Sequence, residues 1–198
     1  MATQPTYLEA FKAYTRVQYG SDEQEAEALK DLTDESDRGS IILSATGLED
    51  LLEQTIGMRM PNLATDVAAR KEMFGANGVV STFSQKIFMA YALGIIDKPL
   101  RKKIDLVREI RNGCAHGRLP LSFERKELQD VCKVIIGQDF LAKLTNQDPA
   151  TLRMAFIVAV ATLGQSVAYG RRIDPEEGFR IATEQERRKT RVRMTDKP

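Results

Sequence analysis

Apolar residues recur along this chain at intervals of three and four, and no stretch alternates strictly between polar and apolar. The pattern therefore predicts helices and no strands. A short helix fits residues 5–18, with Tyr7 or Leu8, Phe11, Tyr14 and Val17 or Gln18 along one side. After Gly20, Ser21 is suited to cap an acidic helix whose first-turn Asp22 and Glu23 favour the positive end of the helix dipole. That helix is expected to run on, or to restart after a kink, through DRGSIILSATGLEDLLEQTIG, where Ile41, Ile42, Ala45, Leu48, Leu52 and Ile56 form a broad apolar stripe. A further helix over 63–74 ends at the turn GANG, 75–78.

Ser81 or Thr82 caps the next helix, STFSQKIFMAYALG, whose apolar side carries Phe83, Ile87, Ala90, Tyr91 and Gly94. Pro99 falls in the first turn of a helix over residues 98–116, where a missing N–H costs nothing. Along it Ile104, Val107, Ile110 and Cys114 point one way, flanked by Leu106 and Arg111. Gly117 is placed to turn the chain out, and Pro120 to prevent continuation. Ser122 is expected to cap the following helix, without a capping box, and Asp148-Pro149 to open a core helix over 149–170.

These elements predict an all-α fold, a single-domain bundle of about six or seven helices. Its expected parts are an N-terminal helical segment, 1–34, packing on the core, a main helical domain, 35–170, and a charged tail, 171–198. The tail is either part of the same unit or flexible. A chain of 198 residues can bury such a core without staples.

Charge alters this picture locally. The formal net charge is only +1, so no global field steers nucleic acid or membranes. Residues 21–37, however, carry eight acids against Lys30, and residues 101–126 carry eight bases against three acids. The two segments could pair within the chain or between subunits, or form two solvated helix faces. Cys114 and Cys132, both in apolar helical patterns, suit buried thiols in a reducing compartment. One histidine and two scattered cysteines do not assemble a zinc site, and Glu49, Asp50 and Glu53 suit a solvated face better than a metal site. No metal or cofactor is expected. The most hydrophobic stretch, MAFIVAVATLG at 154–164, is too short to span a bilayer, and the N-terminus lacks a leader, so a cytoplasmic protein without a membrane contact is expected.

The chemistry concentrates in EIRNGCAHG, residues 109–117, which holds the only histidine of the chain. Asn112 and His116, four apart, share a helix face, whereas Arg111 and His116 diverge by about 140° on an ideal helix. The latter two meet only if the arginine wraps, the helix loosens near Gly113 or Gly117, or a second subunit supplies the partner. Metal-free RNA cleavage needs a base, an acid and a cation over the phosphate. Histidine can act as acid or base near neutral pH, arginine supplies a permanent charge, and asparagine can orient either. The nearby bases Arg101, Lys102, Lys103, Arg108 and Arg118 could hold a nucleic-acid backbone. Against this, a histidine in a last turn is favoured by the helix dipole alone. Asp37-Arg38 could be a buried ion pair or a local brace.

ESDRGSIILSATGLEDLLEQTI, EMFGANGVVSTFSQKIFMAYALGIID and DLVREIRNGCAHGRLPLSFE, in that order, resemble the mannitol operon repressor family of bacterial proteins. Three linked motifs carry the likeness: Asp37-Arg38-Gly39, Phe83 with Ala90 through Gly94 (Tyr91 included), and Ile110-Arg111-Asn112 with Ala115-His116. The resemblance implies an all-helical regulatory protein, acting in transcriptional regulation through protein or nucleic-acid contacts without a helix-turn-helix. Arg111-Asn112-x3-His116 is also similar to the signature of HEPN domains. That likeness implies a HEPN-like bundle, a homodimer, and Arg111, Asn112 and His116 as catalytic residues of a metal-independent endoribonuclease in a toxin or defence setting. Partners implied by the two resemblances are RNA or DNA, a protein, or a second copy of the chain.

Overall fold

The computed structural model describes Leu32 and residues 35–117 and 121–169. The segments expected at 1–34 and 171–198, with Arg118 and Pro120, otherwise lie outside the described residues. Among the described residues the chain is all-α, with eight helical elements in one compact unit beginning at Ser36. They are α1 (Asp37–Met58), α2 (Pro61–Thr65), α3 (Val67–Phe74), α4 (Phe83–Ala92), α5 (Lys98–His116), α6 (Lys126–Ile136), α7 (Gln138–Leu141) and α8 (Pro149–Tyr169). Two of these, α2 and α7, are single turns of five and four residues.

Local chemistry sets the boundaries. Ser36 accepts from the Gly39 N–H and starts α1 there, and Thr82 with Gln85 forms a full capping box on α4. Asp97 caps α5 by accepting from Leu100 N–H at 2.8 Å, with Pro99 in the first turn as expected. Asp148 does the same for α8 through Thr151 N–H at 2.7 Å, and this charge-assisted bond holds its carboxyl below the usual carboxylate range. The single helix expected over 63–74 is instead two. Asp66 takes an extended conformation and accepts from Ala69 N–H, capping α3 and breaking the run. Ser122 does not cap α6 either: its hydroxyl accepts from Glu124 N–H in a turn, and Arg125 occupies the cap position without a side-chain bond.

Helix α1 is central, packing against α8, α4 and α5, while α8 also packs on α6, and α5 on α4 and α6. The expected stripe of α1 is buried at Ile41, Ala45, Leu48, Leu52 and Ile56, and Ile42 is half-buried. Helix α5 buries Ile104, Val107, Ile110 and Cys114, the four positions its periodicity marks. Helix α8 approaches α1 closely at Gly164, where an added Cβ would stand 2.7 Å from Leu51 Cδ1. By length and composition the 21-residue α8 could cross a membrane; here about half of it is buried within the bundle. Phe156 on α8 is fully buried and meets the ring of Phe123 at 5.8 Å between centroids.

The two cysteines are free and buried. Burial pushes the Cys132 thiol up to about 12, with Cys114 adding to the rise. Burial also raises Cys114, against the opposing charge of Arg38.

Gly94 ends α4 in a Schellman turn. Ile95 N–H donates to Ala90 O at 2.9 Å, Gly94 N–H donates to Tyr91 O at 3.1 Å, and Gly94 has φ +68°. No heavy atom lies within 4 Å of a Cβ added there, so Gly94→Ala carries a purely conformational cost, about 1 kcal/mol. Gly47 has the same open surroundings but lies inside α1 with ordinary helical geometry. Gly47→Ala is therefore expected to stabilise by about 0.5–1 kcal/mol. Thermal melts should move the two variants in opposite directions from wild type.

Candidate functional site

The Arg111-Asn112-x3-His116 set occupies the last two turns of α5, and the helix stays regular to its end, with Gly117 N–H donating to Gly113 O at 2.8 Å. Neither glycine loosens it. Arg111 is half-buried and donates from Nη1 to Asn112 Oδ1 at 3.3 Å, and His116 is exposed as the final helical residue. Among the described residues no hydrogen bond joins His116 to Arg111 or Asn112, so one copy of α5 does not assemble the three into a single constellation. Asn112 is instead held by its neighbour's guanidinium.

The start of α1 and Arg153 of α8 brace this end of α5. Arg38 Nη2 donates to Ala115 O at 3.4 Å, one of the carbonyls left without a helical partner at the C-terminal end. Asp37 does not pair with Arg38: its Oδ2 accepts from Phe123 N–H at 2.9 Å, and its Oδ1 lies 3.7 Å from Arg153 Nε. The same Arg153 nitrogen donates to Ser40 Oγ at 3.3 Å. Of the two alternatives open in the sequence, a local brace is what Asp37 and Arg38 form. They fix the position from which His116 projects.

The expected cationic residues separate into different tasks. Lys103 Nζ donates to Ile135 O at 2.9 Å and so satisfies the C-terminal end of α6. Arg108 is drawn to its own helix, pairing with Asp105 and Glu109. Arg101 lies within 3.7 Å of Asp105 and places its guanidinium over two rings, 4.8 Å from the Tyr91 centroid and 5.7 Å from that of Phe88. Lys102 is exposed, as is Lys98 nearby, and neither makes an ion pair among the described residues. Arg118 lies outside the described residues.

Tyr91 is not on the buried side of α4, where the apolar pattern put it. It is 38% exposed, whereas Phe83, Ile87 and Ala90 are buried. Tyr91 follows Ala90 by about 100° around the helix, which carries it past the edge of the core. With Lys98, Pro99, Arg101, Lys102, Leu106 and neighbouring acids it lines an open groove of about 700 Å³ between α4 and the first half of α5. Arg111, Asn112 and His116 do not line it.

The acids of α1 are not simply a solvated face. Lys86 of α4, 5% exposed, reaches Glu49 Oε1 at 3.1 Å and Glu53 Oε2 at 3.0 Å. Burial works to lower the Lys86 pKa, but the hydrogen bonds and charges of Glu53 and Glu49 outweigh it and the net shift is upward. Desolvation pushes the Asp50 carboxyl up, against the pull of Lys86. The buried lysine is a residue that sequence reasoning missed. Its only signal was a lone base at an apolar-face position, three after Phe83. Among the described residues no group of three or more His, Cys, Asp and Glu is placed to hold a metal ion.

Comparison with family models, with curated proteins and with solved structures gives no match to this chain.

Proposed function

We propose that this is a regulatory binding protein, of the kind its resemblance to the mannitol operon repressor family implies, acting through nucleic-acid or protein contacts rather than through catalysis within one chain. The observation that carries this reading is the face of α4 and α5, where the exposed rings of Tyr91 and Phe88 lie beside Lys98 and Lys102, and Tyr91 with the two lysines lines an open groove. Such a face suits recognition of a partner, since large exposed rings are otherwise costly in water. No helix-turn-helix is invoked, and a cytoplasmic setting goes with the reading. Transcript profiling of a strain lacking the gene, with capture of bound partners, tests it. At least one operon is expected to change. A flat profile together with no captured partner overturns the reading.

A second reading, a HEPN-like metal-independent endoribonuclease, draws support from the exposure of His116 and the orientation of Asn112 by Arg111. Because a single α5 does not bring Arg111 and His116 together, this reading requires a homodimer in which each copy completes the other's site. Under it, purified protein degrades RNA in EDTA, and His116→Ala reduces that activity by about two orders of magnitude or more. Absence of cleavage by the wild-type dimer sinks it.

A further inference from the structure

Phe88 is 58% exposed, on the same face of α4 as Tyr91, and Leu93 nearby is 40% exposed. The Arg101 guanidinium reaches from α5 over both rings, so that ring, cation and ring form one contiguous group. Lys98 and Lys102 flank it on the α5 side and make no ion pair among the described residues. The acids at the groove, Asp105 and Glu109, are occupied by Arg101 and Arg108. What remains is a positive edge beside aromatic surfaces. Exposed side chains of this kind are not filling a core, and Arg101 already neutralises one acid while stacking, so its planar face is fixed in place.

We propose that this groove binds single-stranded nucleic acid, with unpaired bases stacking on the Phe88–Arg101–Tyr91 group and with Lys98 and Lys102 holding the phosphates. The proposal rests on the binding-protein reading above and names its ligand. Aromatic faces beside a basic track are what sequence-tolerant binding of single strands requires, because every base has a π-face and every nucleotide a phosphate. A duplex keeps its bases stacked on each other and cannot offer those faces. An acidic peptide would also meet the lysines. The groove is open, however, and Phe88, the more exposed ring, stands outside its lining, so no enclosed pocket for an anchoring side chain is formed. The group lies toward the start of α5, about 22 Å along the helix axis from His116, at 1.5 Å per residue.

The test is fluorescence anisotropy with end-labelled twelve-nucleotide RNA and DNA strands of one mixed sequence, and with the duplex of each, on the full chain at low salt. Both single strands bind if base stacking and phosphate contacts suffice, and a preference for RNA assigns part of the contact to the 2'-hydroxyl. Phe88→Ala and Tyr91→Ala, both at exposed positions, each weaken single-strand binding about tenfold with unchanged thermal melting. Lys102→Ala lowers the slope of log K against log salt by about 0.7, the share of one phosphate on a single strand. The proposal is overturned if neither strand binds, if the duplexes bind as tightly, or if the aromatic variants bind like wild type. Failure here with a changed transcript profile leaves the regulatory reading intact. Strand binding with a flat profile and no captured partner has the opposite meaning.

Discussion

Lys86→Met should lower the unfolding free energy by about 2–4 kcal/mol, read as a fall of roughly 5–15 °C in Tm. Methionine preserves the length and most of the apolar stem, so little of the loss comes from packing. What is lost is the ammonium that Glu49 and Glu53 share at 3.1 and 3.0 Å. Removing it takes away the ion-pair partner of Glu49 and leaves Glu53 with Arg70 at 3.7 Å, the two side chains being only 15% and 27% exposed, beside Asp50. The estimate stays below that for a fully buried pair because these carboxylates retain some water. In a Glu49→Gln, Glu53→Gln background the same substitution should cost much less, since no unpaired charge remains.

The pH dependence follows from the directions of the shifts. The folded Lys86 pKa lies above its ordinary 10.5, so its contribution is fully present below that value and lost as pH rises through the folded pKa. The Lys86 share of the alkaline loss should therefore begin above pH 10.5 and be missing in Lys86→Met. The loss that sets in near pH 9, as Cys114 and Cys132 ionise more readily in the unfolded chain, is common to both proteins. The folded Asp50 pKa is raised from 3.8, so the native state binds that proton more tightly and is penalised as pH rises. Losing Lys86 removes the charge that opposes this rise. The deficit of the variant should then narrow as pH falls from neutral toward 4. A deficit constant across pH would show that packing, not charge, dominates.

Phe156→Ala is the second large effect, about 3–5 kcal/mol, because a fully buried ring leaves a cavity at the centre of the bundle. Urea titration should show a lower midpoint with the m-value kept. The consequence extends beyond α8. Phe123 packs on that ring, donates its N–H to Asp37, and accepts from Gln129 Nε2 through its carbonyl at 2.7 Å. Phe123→Ala and Phe156→Ala are expected to be non-additive by about 0.5–1.5 kcal/mol, the worth of the aromatic pair beyond area. Additivity would place the two rings in independent packing units.

The extent of α5 was legible because three signals coincide: an Asp-Lys-Pro start, a stripe at Ile104, Val107, Ile110 and Cys114, and Gly117 at the end. α8 was legible for the same reason at its Asp-Pro start. The break at Asp66 was not, although an aspartate before Val67-Ala68-Ala69 is a cap signal, because the apolar spacing continues across it. Tyr91 was misplaced since periodicity gives a direction around the helix, while the width of the neighbouring surface decides where the core stops. Lys86 and its carboxylates needed two helices to be brought together, 37 positions apart in sequence, and no local rule does that. The candidate site was legible only as residue types. The regularity of the helix through His116, which leaves Arg111 and His116 apart, is a property of the folded backbone.

The fully buried Cys132, with its thiol near 12, gives the molecule an internal clock for opening. At pH 8 such a raised thiol stays protonated, and none of its surface faces an alkylating reagent. Iodoacetamide should therefore modify it only during excursions that lift α6 from the helices it packs on, α8 and α5. If those excursions are global, Phe156→Ala should speed the labelling by about two to three and a half orders of magnitude, in step with its loss of stability. A much smaller acceleration would mean that α6 lifts away on its own, as a separate unit of motion beneath the bundle's overall transition.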